Sequence, residues 1–179
     1  MNNNGKMGKI KRFLKYLFID DTLQKDVDFL QSVALFANLS DRSLAKIALI
    51  VFKKNYATGE HVYKDHQEAN VLYIVKNGEI LIKNTSAGTV VGAGDFFGEI
   101  SLIENRRHDS AAFALKDSEL YLIYRVKFDD LVDSDAKVGL RIMKNLCSIF
   151  EVRLKCARRQ SEPENPQHKR DNNGDRNVK

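Results

Sequence analysis

Residues 94–103 read Gly-Asp-Phe-Phe-Gly-Glu-Ile-Ser-Leu-Ile, and ten residues after Glu99 the chain continues Asp109-Ser110-Ala111-Ala112. The glycines of this stretch permit tight backbone turns and a close ligand approach. Glu99 follows Gly98 and opens a predicted short helix over 100–103, whose free backbone N–H groups attract an anion. A carboxylate beside those amides can accept a hydrogen bond from a sugar hydroxyl. The stretch therefore predicts a binding site for an anionic ligand.

Short alternating segments rich in Val, Ile, Tyr and Phe surround this stretch, from Lys53 to Arg125. Turn signals separate them, and Asn77-Gly78 is a strong hairpin signal. Close turn spacing and many short strands favour a sandwich or jelly roll. The predicted strands are 53–56, 61–64, 71–76, 79–84, 89–91, 110–115 and 119–125.

Helical periodicity returns on both sides of the strand region. Ser40 is a suitable N-cap before the second of the helices that precede the strands. The predicted helices are 22–37, 41–52, 126–132 and a long one, capped by Asp133 or Ser134, that runs to about 159. The sequence thus predicts an α+β fold. An antiparallel jelly roll of about eight strands is flanked by N-terminal helices and two C-terminal helices, the last one long.

The net charge of +5 is concentrated before Asp20, the first acidic residue. Five basic residues precede it, which leaves a neutral remainder and argues against a nucleic-acid-binding body. Residues 7–19 predict an amphipathic helix that either contacts a membrane surface or a partner, or packs on the protein itself. We divide the chain into a basic leader, 1–21, a domain, 22–159, and a disordered polar tail, 160–179.

The long C-terminal helix carries apolar residues at a 4-3-4-3-4 spacing, interrupted by Asn145. This spacing fits a homodimer seam or packing on the barrel equally well. The seam positions are Val138, Ile142, Asn145, Ile149, Val152 and Cys156. Cys147 and Cys156 are interpreted as reduced thiols of a core or an interface, which suits a cytoplasmic protein.

Catalytic and metal-binding patterns are not found in the sequence. His61, His66 and His108 are scattered and are interpreted as surface or satisfied histidines, so a cupin-type metal site is not expected. No catalytic triad or Walker pattern occurs, and no apolar run is long enough to span a membrane. We expect a non-enzymatic protein without a cofactor.

The order of helices, jelly roll and helices, with the 94–112 stretch in a late loop, resembles the cyclic nucleotide-binding domain family over about residues 33–155. Four further motifs support the resemblance. They are Leu35-Phe36-Ala37-Asn38-Leu39-Ser40-Asp41, Gly59-Glu60, Leu72-Tyr73-Ile74-Val75-Lys76-Asn77-Gly78-Glu79-Ile80 and Asp117-Ser118-Glu119-Leu120-Tyr121. The family usually has a glycine in the turn after the second strand, where this chain has His66.

The resemblance implies that residues 94–112, with Gly98 at their central turn, form a phosphate-binding cassette. Glu99 would bind the ribose 2′-hydroxyl, and the amides of Ile100 and Ser101 would bind the cyclic phosphate. The family pattern ends in Arg-Ser/Thr-Ala, which here reads Asp109-Ser110-Ala111. An aspartate repels phosphate, whereas arginine offers it a matched fork of donors. The nearby cations that could replace the arginine are Arg106, Arg107 and His108.

These observations predict a stand-alone intracellular regulatory module of cyclic nucleotide-binding type, with weakened or lost binding of cAMP or cGMP. One alternative is an adaptor for a protein or a membrane surface. Another is a relative of cAMP-responsive transcription regulators that lacks the DNA-binding domain, since only a polar tail follows Arg159. The expected location is the cytoplasm, with a peripheral position at the inner membrane surface as a variant. The expected partners are a cyclic nucleotide and a protein or second copy.

Overall fold

Strands alternate with turns between two groups of helices in the computed structural model, which describes residues 21–85 and 87–161. The helices are α1 (Asp21–Ser32), α2 (Asp41–Ala48), α3 (Arg125–Ser134) and α4 (Ala136–Ser161), with 3₁₀ helices at Ala34–Phe36 and Glu99–Leu102. The strands are β1 (Phe52–Tyr56), β2 (His61–Tyr63), β3 (Glu68–Ala69), β4 (Val71–Asn77), β5 (Glu79–Lys83), β6 (Gly88–Gly92), β7 (Phe96–Phe97), β8 (Arg106–Arg107), β9 (Ala111–Ala114) and β10 (Ser118–Tyr124). The predicted fold class is confirmed.

Two four-stranded antiparallel sheets form the roll within the described residues, in the orders β1-β10-β4-β7 and β2-β9-β5-β6. A third sheet of two strands joins β3 to β8 beside the cassette. The core between the sheets contains Tyr63, Val75, Ile80, Ala112 and Leu120. The cassette therefore starts on β7, at the edge of one sheet, and returns through β8 into β9 of the other.

Strand β4 is buried along residues 71–75 because both of its faces are covered. Val71, Tyr73 and Val75 belong to the core of the roll, whereas Leu72 and Ile74 point to the opposite face. That outer face is the side on which α1 packs, since Phe29 of α1 contacts the ring of Tyr121 on neighbouring β10. A continuous apolar run is the expected sequence of such a strand.

Helix ends differ from the predictions. The helix predicted over 22–37 stops at Ser32, because Val33 is extended (φ −81°, ψ 123°). The helix predicted over 41–52 begins at the Ser40 cap but ends at Ala48, because Phe52 pairs with Leu122 in the sheet. In the second of these helices, pairing in the sheet thus prevails over the helical periodicity of the local sequence.

The cap of the last helix was predicted at Asp133 or Ser134, and this is wrong because α3 continues to Ser134. Asp135 precedes α4 instead. Its backbone carbonyl accepts a hydrogen bond from the Val138 amide at 3.0 Å, and its carboxylate pairs with Lys46 at 2.6 Å. The Lys46 bond is the largest cause that holds the Asp135 pKa below its usual range.

The chain divides within α4, after Asn145, into two compact units. In the first unit Val138 and Ile142 are buried, and the Asn145 Nδ2 donates to the carbonyls of Leu35 and Ala37, both at 2.9 Å. These seam positions therefore pack within the unit, which is one of the two alternatives that the spacing left open.

In the second unit Val152 and Leu154 are more than half exposed. Cys147 and Cys156 are also exposed, so neither is a core thiol. A homodimer seam along this half of α4 stays a prediction.

The predicted leader helix over 7–19 lies outside the described residues. Of the predicted tail 160–179, residues 160 and 161 continue α4, and the remainder lies outside the described residues. In the part of the chain that is described, no helix combines the length and apolarity needed to cross a membrane.

Candidate functional site

Gly98 sets the shape of the cassette. It follows β7, where Phe97 pairs with Tyr73, and it adopts a left-handed conformation (φ 73°). A Cβ atom at Gly98 would lie 2.8 Å from the Val71 carbonyl oxygen and 3.1 Å from Cδ2 of Tyr73. Only glycine fits this position, and the chain then turns directly into the 3₁₀ helix Glu99–Leu102.

Two polar side chains of this 3₁₀ helix are buried. Glu99 is 8% exposed and Ser101 is 1% exposed. The Ser101 Oγ has no hydrogen-bond partner among the described residues, although a buried hydroxyl without a partner costs free energy. The Ser101 amide already donates to the Gly98 carbonyl at 3.1 Å. The hydroxyl of Ser101, which the sequence did not single out, is therefore a donor available to a ligand.

Arg106 and Arg107 lie in β8, which pairs with Glu68 and Ala69 of β3. The Arg106 guanidinium contacts Asp109 at 3.1 Å and Glu104 at 3.6 Å. Arg107 donates to the carbonyl of His66 at 3.1 Å. The structure thus brings these two predicted cations together with Asp109 in an exposed cluster.

Asp109 does not point into the roll. Its side chain is 80% exposed and is paired with Arg106. Ser110 and Ala111 follow it and are partly buried, and the Ser110 side chain is hydrogen-bonded to Tyr63. The aspartate therefore occupies the outer rim of the loop.

His108 is the interior residue of this loop, and it is one of the three cations that the sequence offered as a replacement for the arginine. It is 8% exposed, and its ring lies flat on Tyr63, with ring centroids 3.6 Å apart at 5°. Its amide donates to the Gln67 carbonyl at 2.9 Å and its carbonyl accepts from His66 at 3.0 Å. Two-residue alternation backward from the buried Ala112 was the signal that could have identified it.

Burial shifts the pKa values of two side chains at this position, His108 and Tyr63, in the direction that favours their neutral forms. Burial lowers the pKa of His108 below its usual value, while Asp109 raises it and Arg106 lowers it further. Burial likewise raises the pKa of Tyr63, opposed by its hydrogen bond to Ser110 and reinforced by Asp109 and Glu99. A neutral imidazole and a protonated phenol therefore stand at the inner wall beside the cassette.

His66 occupies the turn in which the resemblance expects a glycine. Its φ is +63°, in the left-handed region that glycine adopts without strain. The turn thus keeps the conformation expected of a glycine but holds a residue that is strained there.

The chain is similar to known proteins in sequence and in fold. Residues 53–135 match the family model described as cyclic nucleotide-binding domain. The cyclic AMP receptor protein of Thermus thermophilus is 27% identical over 116 residues, which are 61% of this chain and 52% of that protein. A cAMP-dependent protein kinase regulatory subunit of Mycosarcoma maydis is 32% identical over 103 residues, covering 53% of this chain and 20% of that protein.

The chain thus spans about half or less of the length of these relatives. A solved structure of a cyclic nucleotide-binding domain from Methylobacillus flagellatus superposes with a TM-score of 0.67 at 16% identity, over 79% of this chain and 83% of that one. This likeness shows the fold. In sequence, residues 53–135 are similar to the cyclic nucleotide-binding domain family.

Proposed function

We propose that this domain is a non-enzymatic regulatory module whose cassette binds a cyclic nucleotide such as cAMP or cGMP weakly. The observation that carries the proposal is the buried pair Glu99 and Ser101 on the 3₁₀ helix, with the Ser101 hydroxyl lacking a partner in the described residues. Glu99 would accept from the ribose hydroxyl, and the Ser101 hydroxyl would donate to the phosphate.

The weakness of binding follows from where the guanidinium groups are. Arg106 and Arg107 are held by Asp109, Glu104 and the His66 carbonyl. A charge-assisted hydrogen bond contributes roughly 1.5–3 kcal/mol, so its absence weakens binding by about 10- to 200-fold. Repulsion by Asp109 is a smaller factor than the sequence suggested, because this carboxylate is exposed and paired.

A signal from the cassette can reach α3 directly. The 3₁₀ helix Glu99–Leu102 packs against α3, and the Arg125 amide at the start of α3 donates to the Asn70 carbonyl at 2.9 Å. A ligand that orders the 3₁₀ helix would therefore bias the position of α3. Regulation through this contact is part of the proposal.

The experiment is calorimetric titration of the full chain with cAMP and with cGMP up to millimolar concentration. We expect weak binding that Glu99→Gln reduces by about tenfold, because the amide loses the charged acceptor for the sugar hydroxyl. Low-micromolar affinity would contradict the weakness, and heat unchanged by Glu99→Gln would place binding elsewhere. If neither the wild type nor the His108→Arg variant binds cAMP or cGMP, the proposal that this domain senses a nucleotide is overturned.

A protein-interaction adaptor is the second candidate, and exposed apolar side chains favour it. Leu49 is 74% exposed, Phe52 54% and Val126 64%. Phe52 contacts the ring of Tyr124, so two of the exposed aromatic rings form one patch. Exposed apolar groups that contact each other are one feature that a docking partner could cover.

A further inference from the structure

We propose that His108 is the cationic partner of the anion in this cassette, and that its imidazole takes up a proton when a phosphodiester monoanion binds. The inference rests on the proposed function, since it concerns the same cassette. It assigns the position of the missing guanidinium to a residue that carries charge only when protonated.

The placement of His108 supports the assignment. The ring is buried and stacks on Tyr63, a member of the core between the sheets. Two backbone hydrogen bonds, from His108 to Gln67 and from His66 to His108, fix the register of this segment. A shift that turned Asp109 inward would break both bonds, so the inner position belongs to the imidazole.

A second observation points to a ligand independently of His108. The Ser101 Oγ is buried in the cassette without a hydrogen-bond partner among the described residues. A hydroxyl in that state is satisfied when a ligand oxygen approaches it. The cassette thus offers one neutral donor, and a charged donor is what a monoanion needs in addition.

The surroundings of His108 decide in which direction its pKa is shifted when the site is empty. Tyr63 from β2 is a neutral phenol, Asp109 and Arg106 from the loop act on the imidazole with opposite signs, and Glu99 acts on Tyr63. From β3, Glu68 lies opposite Arg107, and the His66 ring is 81% exposed to solvent. Burial is the largest influence and lowers the pKa of His108, so the empty site holds a neutral imidazole.

An anion beside the ring stabilises the imidazolium and raises the His108 pKa in the complex. The pH window then has two limits. Above the pKa of the complex the imidazole stays neutral, and binding is weak and does not change with pH. Below the pKa of the empty site the imidazole is already protonated, and binding is strong and constant. Between the two limits the affinity rises up to about tenfold for each unit by which the pH falls.

The experiment titrates the full chain with cAMP from about pH 5 to pH 8, the range in which histidine changes charge, in buffers of different ionisation enthalpy. We expect uptake of up to one proton by the wild type. His108→Gln should bind weakly without proton uptake, and His108→Arg should bind more tightly without pH dependence. His66→Asn, in the exposed turn nearby, is the matched control and should retain proton uptake.

The outcomes separate this inference from the proposed function. Proton uptake that persists in His108→Gln overturns the role of His108 but leaves nucleotide binding intact. Binding by His108→Arg with none by the wild type at any pH also overturns the role of the imidazole. No binding by any variant at any pH overturns the proposed function itself. A proton NMR titration of the His108 ring, in folded wild type with and without cAMP, gives a second readout and should show a higher pKa with ligand.

Discussion

Two buried polar clusters of this domain differ in whether their groups have partners. Between α1 and the outer face of the sheet, the Asp26 carboxylate lies 2.7 Å from the Lys53 Nζ and accepts from the Tyr121 hydroxyl. In the cassette, the Ser101 hydroxyl has no partner in the described part of the chain. Satisfied groups hold two elements together, whereas a donor left without a partner at a glycine turn is suited to receive a ligand.

The largest effect is expected at the cassette turn. Gly98→Ala should lower the free energy of unfolding by about 3 kcal/mol, from the left-handed conformation and the contact with the Val71 carbonyl. Gly94→Ala is the matched control, since its φ is +88° but nothing lies within 4 Å of the added Cβ. It should cost about 1 kcal/mol, from strain alone. Urea unfolding measures both, and equal losses would show that the Val71 contact is not limiting.

Asp26→Ala should lower the free energy of unfolding by about 2 kcal/mol, because it leaves the buried Tyr121 hydroxyl without its acceptor. The loss stays below that of a fully buried ion pair because Lys53 is 36% exposed and can be hydrated. Asp28→Ala, an exposed position of the same helix, should change stability by less than about 0.5 kcal/mol. Denaturant unfolding that finds the two variants equal would show that the Asp26 cluster does not stabilise the fold.

Two buried serines differ in whether the hydroxyl has a hydrogen-bond partner among the described residues. The Ser118 Oγ donates to the Lys116 carbonyl and accepts from the Glu79 amide, whereas the Ser101 Oγ lacks a partner. Ser118→Ala should therefore lose about 2 kcal/mol of stability.

His66→Gly should raise stability by about 1 kcal/mol, because glycine adopts the left-handed conformation without the steric cost that His66 has. Thermal unfolding should show a higher midpoint. His61→Gly is the control of opposite sign, since a glycine within a strand destabilises it. A lower midpoint for His66→Gly would mean that the histidine ring makes contacts that outweigh the strain.

The smallest effect is expected at Ser101. Ser101→Ala should raise stability by about 0.5 kcal/mol, since it removes a buried hydroxyl that has no partner. The same substitution should weaken cAMP binding, which calorimetry on the folded variant measures. A loss of stability as large as that of Ser118→Ala would show that the Ser101 hydroxyl is hydrogen-bonded in solution.

The sequence predicted the fold well because its signals are local. Asn77-Gly78 forms the turn from the end of β4 into β5, and the alternation of short strands defines the roll. The early end of α2 could not be predicted, because the pairing of Phe52 with Leu122 joins residues far apart in the chain. The Asp26–Tyr121 hydrogen bond joins residues 95 positions apart and leaves no trace in local pattern.

The short helix after Gly98 lies close to where the sequence predicted it, and the role of this stretch in binding stays a prediction. The charge of the loop that follows was assigned to Asp109, one residue away from the interior position. Sequence reasoning placed Asp109 where the family has arginine, whereas the structure turns Asp109 outward and His108 inward. Counting by twos from the buried Ala112 would have favoured His108. The small strands β3 and β8 that fix this register are too short for a periodic signal.

Asn145 should couple the local unfolding of early α4 to that of the segment around Leu35 and Ala37. One side-chain amide holds carbonyls 110 and 108 residues earlier in the chain. Lifting the start of α4 away would strip both carbonyls at once, so the segments should open as one cooperative unit. Amide hydrogens of the 3₁₀ helix Ala34–Phe36 and of early α4 should then exchange with solvent at the same free energy, although almost the whole roll separates them in sequence.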